Sequence, residues 1–491
     1  VVGLITQLRK DKEPLLHTAV FVELAADDLD KLKELQAEVQ MELTRAKINI
    51  DKLLLRQKES FVAVQPSGTN IFGAQFERVL PASSVANFYP FNYSGKTDEQ
   101  GFYLGRDKYG TNVIMDFDKR AEDKTNSNIL ILGNSGQGKS YLMKLLLTNI
   151  RESGKGVIVL DAEAEYRELT ESLGGVYVDL MIGNYKNNLL EPKLWSDGGE
   201  DTADEPETFA KTSVVSQHIS FLKDFFRIRK KDFGDRHIDT LEIMISKLYR
   251  LYGVNDSTVA DKPKDAFPIM SDLYELMENE RLSYGRAKSP LYTEETLQEL
   301  CLGLYSMCEG AEAQYFNGHT NIPDDNFVTF GVKGLLETNG ELKDAMLFNT
   351  LSYMSNVLLT RGNTAASIDE LYLFLSNMTA IEYIRNLMKR VRKKNSAVIV
   401  ASQNLNDFFL PEIAEYTKPL FAIPTHQFLF NPGTVDGKFY MDALQLEQSE
   451  YDLVKYPERG NCLFKCGNER YNLQVKAPKH KAAMFGTGGG N

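Results

Sequence analysis

The chain has 491 residues, 43% hydrophobic and 25% charged, proportions that exclude a disordered chain, a collagen-like repeat and a coiled-coil rod. At ~150 residues per domain this length allows two or three domains. Lys and Arg number 56 against 68 Asp and Glu, a net charge of −12, so nucleic acid could meet only a local basic patch.

Four cysteines (Cys301, Cys308, Cys462, Cys466) are too few for a disulfide scaffold and lack the neighbours of a zinc site. They read as reduced thiols of a cytosolic protein. No run reaches the ~18 apolar residues of a membrane span, and no signal peptide is expected, so a membrane would be met through partners. A chain opening on Val1 reads as part of a longer one.

In chain order, the apolar run Ala19-Val20-Phe21-Val22 predicts a strand. Leu32, Leu35, Val39, Leu43, Ala46 and Ile50, at three- and four-residue steps, predict an amphipathic helix over 27–56 that packs against another element. Phe61-Val62-Ala63-Val64, closed by Pro66-Ser67-Gly68, predicts a second strand. Residues 1–95 thus read as the C-terminal part of an α+β domain. A hairpin turning at Tyr109-Gly110 opens the next unit, 96–491. There the apolar strands 129–132 and 157–160 flank a glycine-rich loop and a helix, an α/β grammar that implies a parallel sheet. From 196 to 325 the pattern turns helical, with the acidic stretch 197–207 near its start, and reads as an all-helical insertion. Strands at 327–330, 365–368 and 397–401, with a helix over 341–360, return the chain to the sheet. A hairpin around Gly467-Asn468 and a glycine-rich tail end it.

Gly133-Asn134-Ser135-Gly136-Gln137-Gly138-Lys139-Ser140 fits GxxxxGK[ST] between a strand and a helix, the context that makes this motif specific. Its glycines let backbone N–H groups turn inward around phosphates, and the helix N-terminus adds partial positive charge. The candidate cradle runs from Gly133 through Tyr141, with Lys139 on the β- and γ-phosphates and Ser140 on Mg²⁺. Such a loop needs a metal-organising acid at a neighbouring strand end. Asp369, holding Mg²⁺ through water, and Glu370, polarising the attacking water, are the candidates; the alternative is an acidic pair that begins a helix. A second carboxylate points to hydrolysis rather than switching. Gln403, ending the strand 397–401, reads as a γ-phosphate or water sensor or as plain loop polarity. Asp161 and Glu165 read as metal- or water-tuning acids or as idle loop acids. The run 389–394 holds five basic residues in six. It is either a solvated helix end or, through Arg390 or Arg392, a donor to a neighbouring subunit's γ-phosphate. Arg459 is a second candidate to reach across a subunit boundary.

With these residues in view, the chain resembles the conjugative type IV secretion ATPases, the family of the fourth VirB component and its TraC and TraE relatives, within the HerA and FtsK superfamily. The resemblance is carried by Gly133 to Ser140, Asp161-Ala-Glu-Ala-Glu165-Tyr166, Phe316-Asn-Gly-His-Thr320, Asp369-Glu370 and Ala401-Ser-Gln403. It extends to Leu444 to Glu450 with Arg459-Gly460, and to the junction over 61–106, including Ser-Ser-Val-Ala-Asn-Phe-Tyr-Pro-Phe at 83–91. The superfamily's Asp-Pro-x-Gly-Glu stands here as Asp-Ala-Glu-Ala-Glu, its Thr-Gln as Ser-Gln, and a strand motif with Asp as Phe-Gly-Val at 330–332. The resemblance implies a RecA-like P-loop motor with an embedded helical subdomain, binding ATP and Mg²⁺. It further implies a homo-oligomer, often hexameric, at the cytoplasmic face of the membrane. There it would meet other secretion components, inner-membrane channel proteins among them, and DNA, and energise channel or pilus assembly and export. A HerA- or FtsK-like DNA translocase and a weakly hydrolysing ATP-binding scaffold are the alternatives.

Overall fold

The computed structural model describes residues 13–45, 47–65, 70–86, 88, 95–193, 213–285, 291–403, 405–411, 413–456 and 458–486. The turn at 66–68, the acidic stretch 197–207, part of the 83–91 segment and the glycine tail from 487 lie outside them. Contacts divide the chain into two units, Val1–Tyr93 and Ser94–Asn491.

In the first unit β1 (Leu15–Thr18) precedes α1 (Leu29–Arg45) and α2 (Gln57–Val64), and β2 (Arg78–Pro81) pairs antiparallel with β1. Two expectations are corrected here. Residues 19–22 form no strand, the pairing segment being Leu15–Thr18, and Phe61 to Val64 end the helix α2 rather than forming a strand. Apolar β-branched runs become strands only beside a pairing partner. Here Gln57, Lys58 and Glu59, good helix formers with an acid in the first turn, carry the run into a helix instead. The helix α1 is shorter than its apolar pattern and buries no residue. Phe72 is the buried apolar side chain among this unit's described residues. It stacks on Phe21 at 5.5 Å and carries the Arg56 guanidinium 4.5 Å over its face.

The second unit is built on one sheet. Its strands are β3 (Lys96–Thr97), β4 (Phe102–Asp107), β5 (Asn112–Met115), β6 (Ile129–Leu132), β7 (Gly156–Asp161), β8 (Val176–Asp179), β9 (Phe327–Gly331), β10 (Thr364–Ile368), β11 (Ala397–Ser402), β12 (His426–Leu429), β13 (Asn461–Cys466) and β14 (Glu469–Val475). They lie in the order β3-β5-β4-β14-β13-β12-β6-β11-β10-β7-β9-β8. From β12 to β8 neighbours are parallel, while β13, β14 and β4 join antiparallel. The β4–β5 turn is set by Asp107, whose carboxylate accepts from the Tyr109 and Thr111 N–H groups at 2.9 and 2.8 Å.

The parallel strands are buried on both faces, which explains their unbroken apolar runs. Leu130, Leu132, Ile158, Leu160, Val398 and Val400 face one core, and Ile129, Ile131, Val157, Val159, Ile399 and Ala401 face the other. On the second face α3 (Lys139–Glu152) runs between β6 and β7 and α4 (Arg167–Ser172) between β7 and β8. Between β8 and β9 come α5 (Val214–Arg229), α6 (Asp235–Leu251), α7 (Met270–Leu282) and α8 (Glu294–Cys308), followed after β9 by α9 (Gly340–Thr360) and α10 (Met378–Arg390). The helical segment shares the first core: the Phe221 ring stacks on Phe348 of α9 at 5.0 Å. The Phe316 to Thr320 motif anchors its exit. Asn317 accepts from the Ser271 N–H at 3.0 Å and donates to the Cys308 carbonyl at 2.9 Å, and the Thr320 hydroxyl accepts from the Asn188 N–H at 3.0 Å.

Candidate nucleotide site

All the parallel strands end at one edge, so the loops after β6, β7, β10, β11 and β12 share a crevice. The loop after β6 needs its glycines for two reasons. A Cβ on Gly133 would stand 2.5 Å from that of Phe430, and Gly138, with φ at +110°, caps α3 in a left-handed conformation. Gly138 offers no side-chain cap, so the first-turn N–H groups of α3 are left for a ligand. The loop is held by its neighbours: the Asn134 N–H donates to the Asn431 carbonyl at 2.8 Å, and the Gly460 N–H donates to the Gln137 carbonyl at 2.9 Å. Ser135 and Gly136 stay exposed and Ser140 half-buried.

β11 lies between β6 and β10, and this order brings Lys139, Asp369, Glu370 and Gln403 together. The Lys139 ammonium donates to the Asn134 carbonyl at 3.1 Å. Burial lowers its pKa against the pull of Glu370, Asp369 and Glu165. Asp369 and Glu370 are buried at 6% and 5% exposure. Burial first, and then the charge of Glu370, pushes the Asp369 carboxyl up to about 7, while a hydrogen bond from Tyr166 draws it down. Burial raises Glu370 too, opposed by the Gln403 amide that donates to its Oε1 and by Lys139. Four buried oxygens at this edge, Gln137 Oε1, Glu165 Oε2, Glu370 Oε2 and Ser402 Oγ, have no hydrogen-bond partner. An unmet buried polar atom costs about 1–3 kcal/mol, so the crevice is finished only by something polar from outside the chain.

The two acids after β7 divide. Asp161 is fully buried, and its oxygens accept from the Glu165 and Tyr166 N–H groups, both at 3.1 Å, and from the Tyr177 hydroxyl at 3.2 Å. These three bonds hold the loop. Glu165 keeps Oε2 unpartnered and interacts with Lys139 and Asp369. Two departures from the superfamily pattern have visible local consequences. Ala164, at the glycine position of Asp-Pro-x-Gly-Glu, has φ at +61°. Gly331, within the Phe-Gly-Val at 330–332, leaves room for Tyr177, whose hydroxyl would lie 2.3 Å from a Cβ there.

The side chain of Tyr141 turns away from the loop: its hydroxyl accepts from the Ala477 N–H at 3.1 Å and its ring meets Phe485 edge-on at 5.3 Å. Arg390 ends α10 and Arg392 lies in the 3-10 turn Val391–Lys394, before the first residue of β11. The crevice is at the other end of that six-residue strand, ~20 Å away at 3.3 Å per residue, so neither arginine reaches its own chain's site. Arg459 precedes Gly460, which touches its own chain's loop rather than standing at a remote surface. Sequence reasoning missed Lys144 and Tyr166 as parts of the site. Lys144 is wholly buried in α3, and a lysine inside Leu-Met-Lys-Leu-Leu-Leu was the available signal.

A P-loop opening a helix beside β6, an acid pair after β10 and an intervening β11 define a RecA-like P-loop ATPase fold. Residues 122–194 match the family described as the central domain of helicase HerA. VirB4 of Thermoanaerobacter pseudethanolicus superposes with a TM-score of 0.68 at 31% identity, over 79% of this chain and 100% of that one. The uncharacterized protein pXO2-09 of Bacillus anthracis is 20% identical over 93% of this chain and 77% of that protein. Protein TraC of Escherichia coli K12 is 25% identical over 60% of this chain, a match spanning 31% of TraC. The chain belongs to the VirB4 family, the VirB4/TraC-type ATPases of conjugative type IV secretion systems. Among the described residues no helix is long and apolar enough to cross a membrane.

Proposed function

We propose that this chain hydrolyses ATP with Mg²⁺ and so drives assembly of, and export through, a conjugative secretion channel. The observation that carries the reading is the meeting of Lys139, Asp369, Glu370 and Gln403 around buried oxygens that lack partners. The backbone from Gly133 to Gly138 and the N-terminus of α3 would hold the phosphates, with Lys139 exchanging the Asn134 carbonyl for a phosphate oxygen. Among the described residues no group of three or more His, Cys, Asp or Glu forms a metal cage. That suits Mg²⁺, which binds through one or two protein oxygens and substrate phosphates; Ser140 and Asp369 are its holders. Bound there, the cation neutralises charge developing on the phosphates. Glu370 takes the proton of the attacking water on Oε2, while the Gln403 amide on Oε1 fixes the direction of that carboxylate.

Arg390 or Arg392 acts on the site of a neighbouring copy in a homo-oligomer, hexameric by analogy with such motors, a role supported by the strand length that separates both from their own site. An arginine supplied in trans is worth about 10³ to 10⁵ in rate in P-loop systems. The assembly works at the cytoplasmic face of the membrane, held there by inner-membrane channel proteins, with DNA among its cargo. The test is ATPase rate against protein concentration with sizing in parallel. Specific activity is expected to rise with assembly, to vanish in Lys139→Ala, and to fall in Arg390→Ala or Arg392→Ala while ATP still binds. Full turnover by Lys139→Ala would sink the reading, and concentration-independent turnover would remove the shared arginine.

A further inference from the structure

We propose that Tyr166 is a positioning residue for Asp369: its buried hydroxyl fixes one carboxylate oxygen so that the other is presented to the metal, and Lys144 clamps the ring that carries it. The inference rests on the role given to Asp369 above. Tyr166 is wholly buried at the start of α4, and its hydroxyl donates to Asp369 Oδ1 at 3.0 Å. Its backbone N–H donates to Asp161 Oδ2 at 3.1 Å, and the Thr170 hydroxyl donates to its carbonyl at 2.7 Å. Lys144 stands one turn beyond Ser140 on α3, its ammonium 5.7 Å from the centre of the Tyr166 ring. That ammonium is itself held, donating to the Phe485 carbonyl at 2.7 Å. The phenol is therefore fixed at its backbone, over its face and at its hydroxyl.

A carboxylate turns easily about its last bond, whose preference is broad and two-fold. The acids around Asp369, namely Glu370, Glu165 and Asp161, offer it no donor, and Lys139 and Lys144 attract it only by charge, so the Tyr166 hydroxyl is the group that sets its direction through a hydrogen bond. The tyrosine supplies that donor from the β7 loop, the segment that also brings Glu165 to the crevice. A buried tyrosine hydroxyl commonly ends on a backbone carbonyl. Its use here on the acid at the end of β10 couples the geometry of the β7 loop to the metal position.

The test is the gain in affinity for a fluorescent ATP analogue when Mg²⁺ is added, measured for wild type, Tyr166→Phe, Asp369→Asn and the double variant. Tyr166→Phe keeps the ring and is expected to leave metal-free affinity unchanged. It should lose about tenfold of the gain due to metal, the loss of one hydrogen bond to a charged group, and raise KM for Mg-ATP by about the same factor. The double variant should be no worse than Asp369→Asn alone. Lys144→Met, which keeps the bulk of the stem, should lose about threefold of the same gain, on the scale of a cation over a ring. A wild-type gain that stays unaltered in Tyr166→Phe overturns the proposal, as do additive losses in the double variant, and a gain unaltered in Lys144→Met removes the clamp on the ring. Absence of any gain in the wild type would instead remove the role of Asp369, and this inference with it.

Discussion

Two buried polar clusters in the sheet unit show the same perturbed chemistry and opposite bonding. At the crevice, burial moves Lys139, Asp369 and Glu370 from their ordinary pKa values and leaves oxygens of Glu370, Glu165 and Ser402 without partners. At the entry to the helical segment, burial likewise lowers Lys193 and brings His218 down to about 3. There, however, each group is met. The Lys193 ammonium lies 3.2 Å from Glu191, the Thr320 hydroxyl donates to the same carboxylate, and His218 Nε2 pairs with the Leu189 carbonyl at 2.8 Å. Perturbed acidity therefore does not mark the site by itself. What separates these two clusters is bonding: one is closed and structural, while the other gathers unmet oxygens around a P-loop lysine and waits for a ligand.

Substitutions should separate the two. Glu370→Gln at the crevice should cut ATP turnover by about 10² to 10⁴, the worth of a general base, with ATP binding retained. Its melting midpoint should hold or rise, because a buried carboxylate with an orphaned oxygen becomes neutral. Lys193→Met should do the reverse. Leaving Glu191 buried and uncompensated costs about 3–5 kcal/mol, read as a lower midpoint, while turnover per folded molecule is unchanged. The pair Lys193→Met with Glu191→Leu should recover most of that loss. A Lys193→Met protein of normal stability would erase the distinction.

The closed cluster also predicts an acid limit. The folded pKa of His218, about 3, lies below the ordinary 6.5. Between those values the unfolded chain binds a proton that the folded one refuses. Stability from this group is therefore complete above pH 6.5 and falls as pH drops toward 3, by about 2 kcal/mol at pH 5. Melts of wild type and His218→Gln at pH 7 and pH 5 measure it, and the variant should lose less stability on acidification. Equal losses would mean that the histidine is already charged in the fold.

Much of the motor was legible because its signals are local or doubly constrained. Strands 129–132, 157–160 and 397–401 read as apolar runs since both of their faces are buried, and the GxxxxGK[ST] loop needs its glycines whatever surrounds it. Strand order was not legible. That β11 lies between β6 and β10, bringing Gln403 and Glu370 beside the loop of Lys139, is fixed by a β6–β11 pairing across 270 residues, Ile129 beside Ile399. The Tyr166 bond to Asp369 is hidden for the same reason, 203 residues separating the two. In the first unit the failure is of another kind. An amphipathic pattern marks a face that can be buried, and α1 buries no residue, so periodicity there gave the helix and misjudged its packing. Phe61 to Val64 became helix because an apolar run does not name its own partner.

The smallest effect sharpens the reading of the β7 loop. Ala164 is held at φ +61°, a left-handed conformation that costs an L-residue roughly 1–2 kcal/mol. The loop accepts it because Asp161 takes the N–H groups of Glu165 and Tyr166 on either oxygen. Ala164→Gly removes the strain but also loosens the unfolded chain, an entropic cost of about 0.5–1 kcal/mol. The net expected is a gain of up to about 1 kcal/mol, a small rise in melting midpoint, with turnover unchanged while Asp161 keeps its bonds. If the glycine variant instead slows turnover, the strained alanine is itself part of how the loop sets Tyr166 against Asp369. The loop would then belong with the open cluster rather than with the scaffold that supports it.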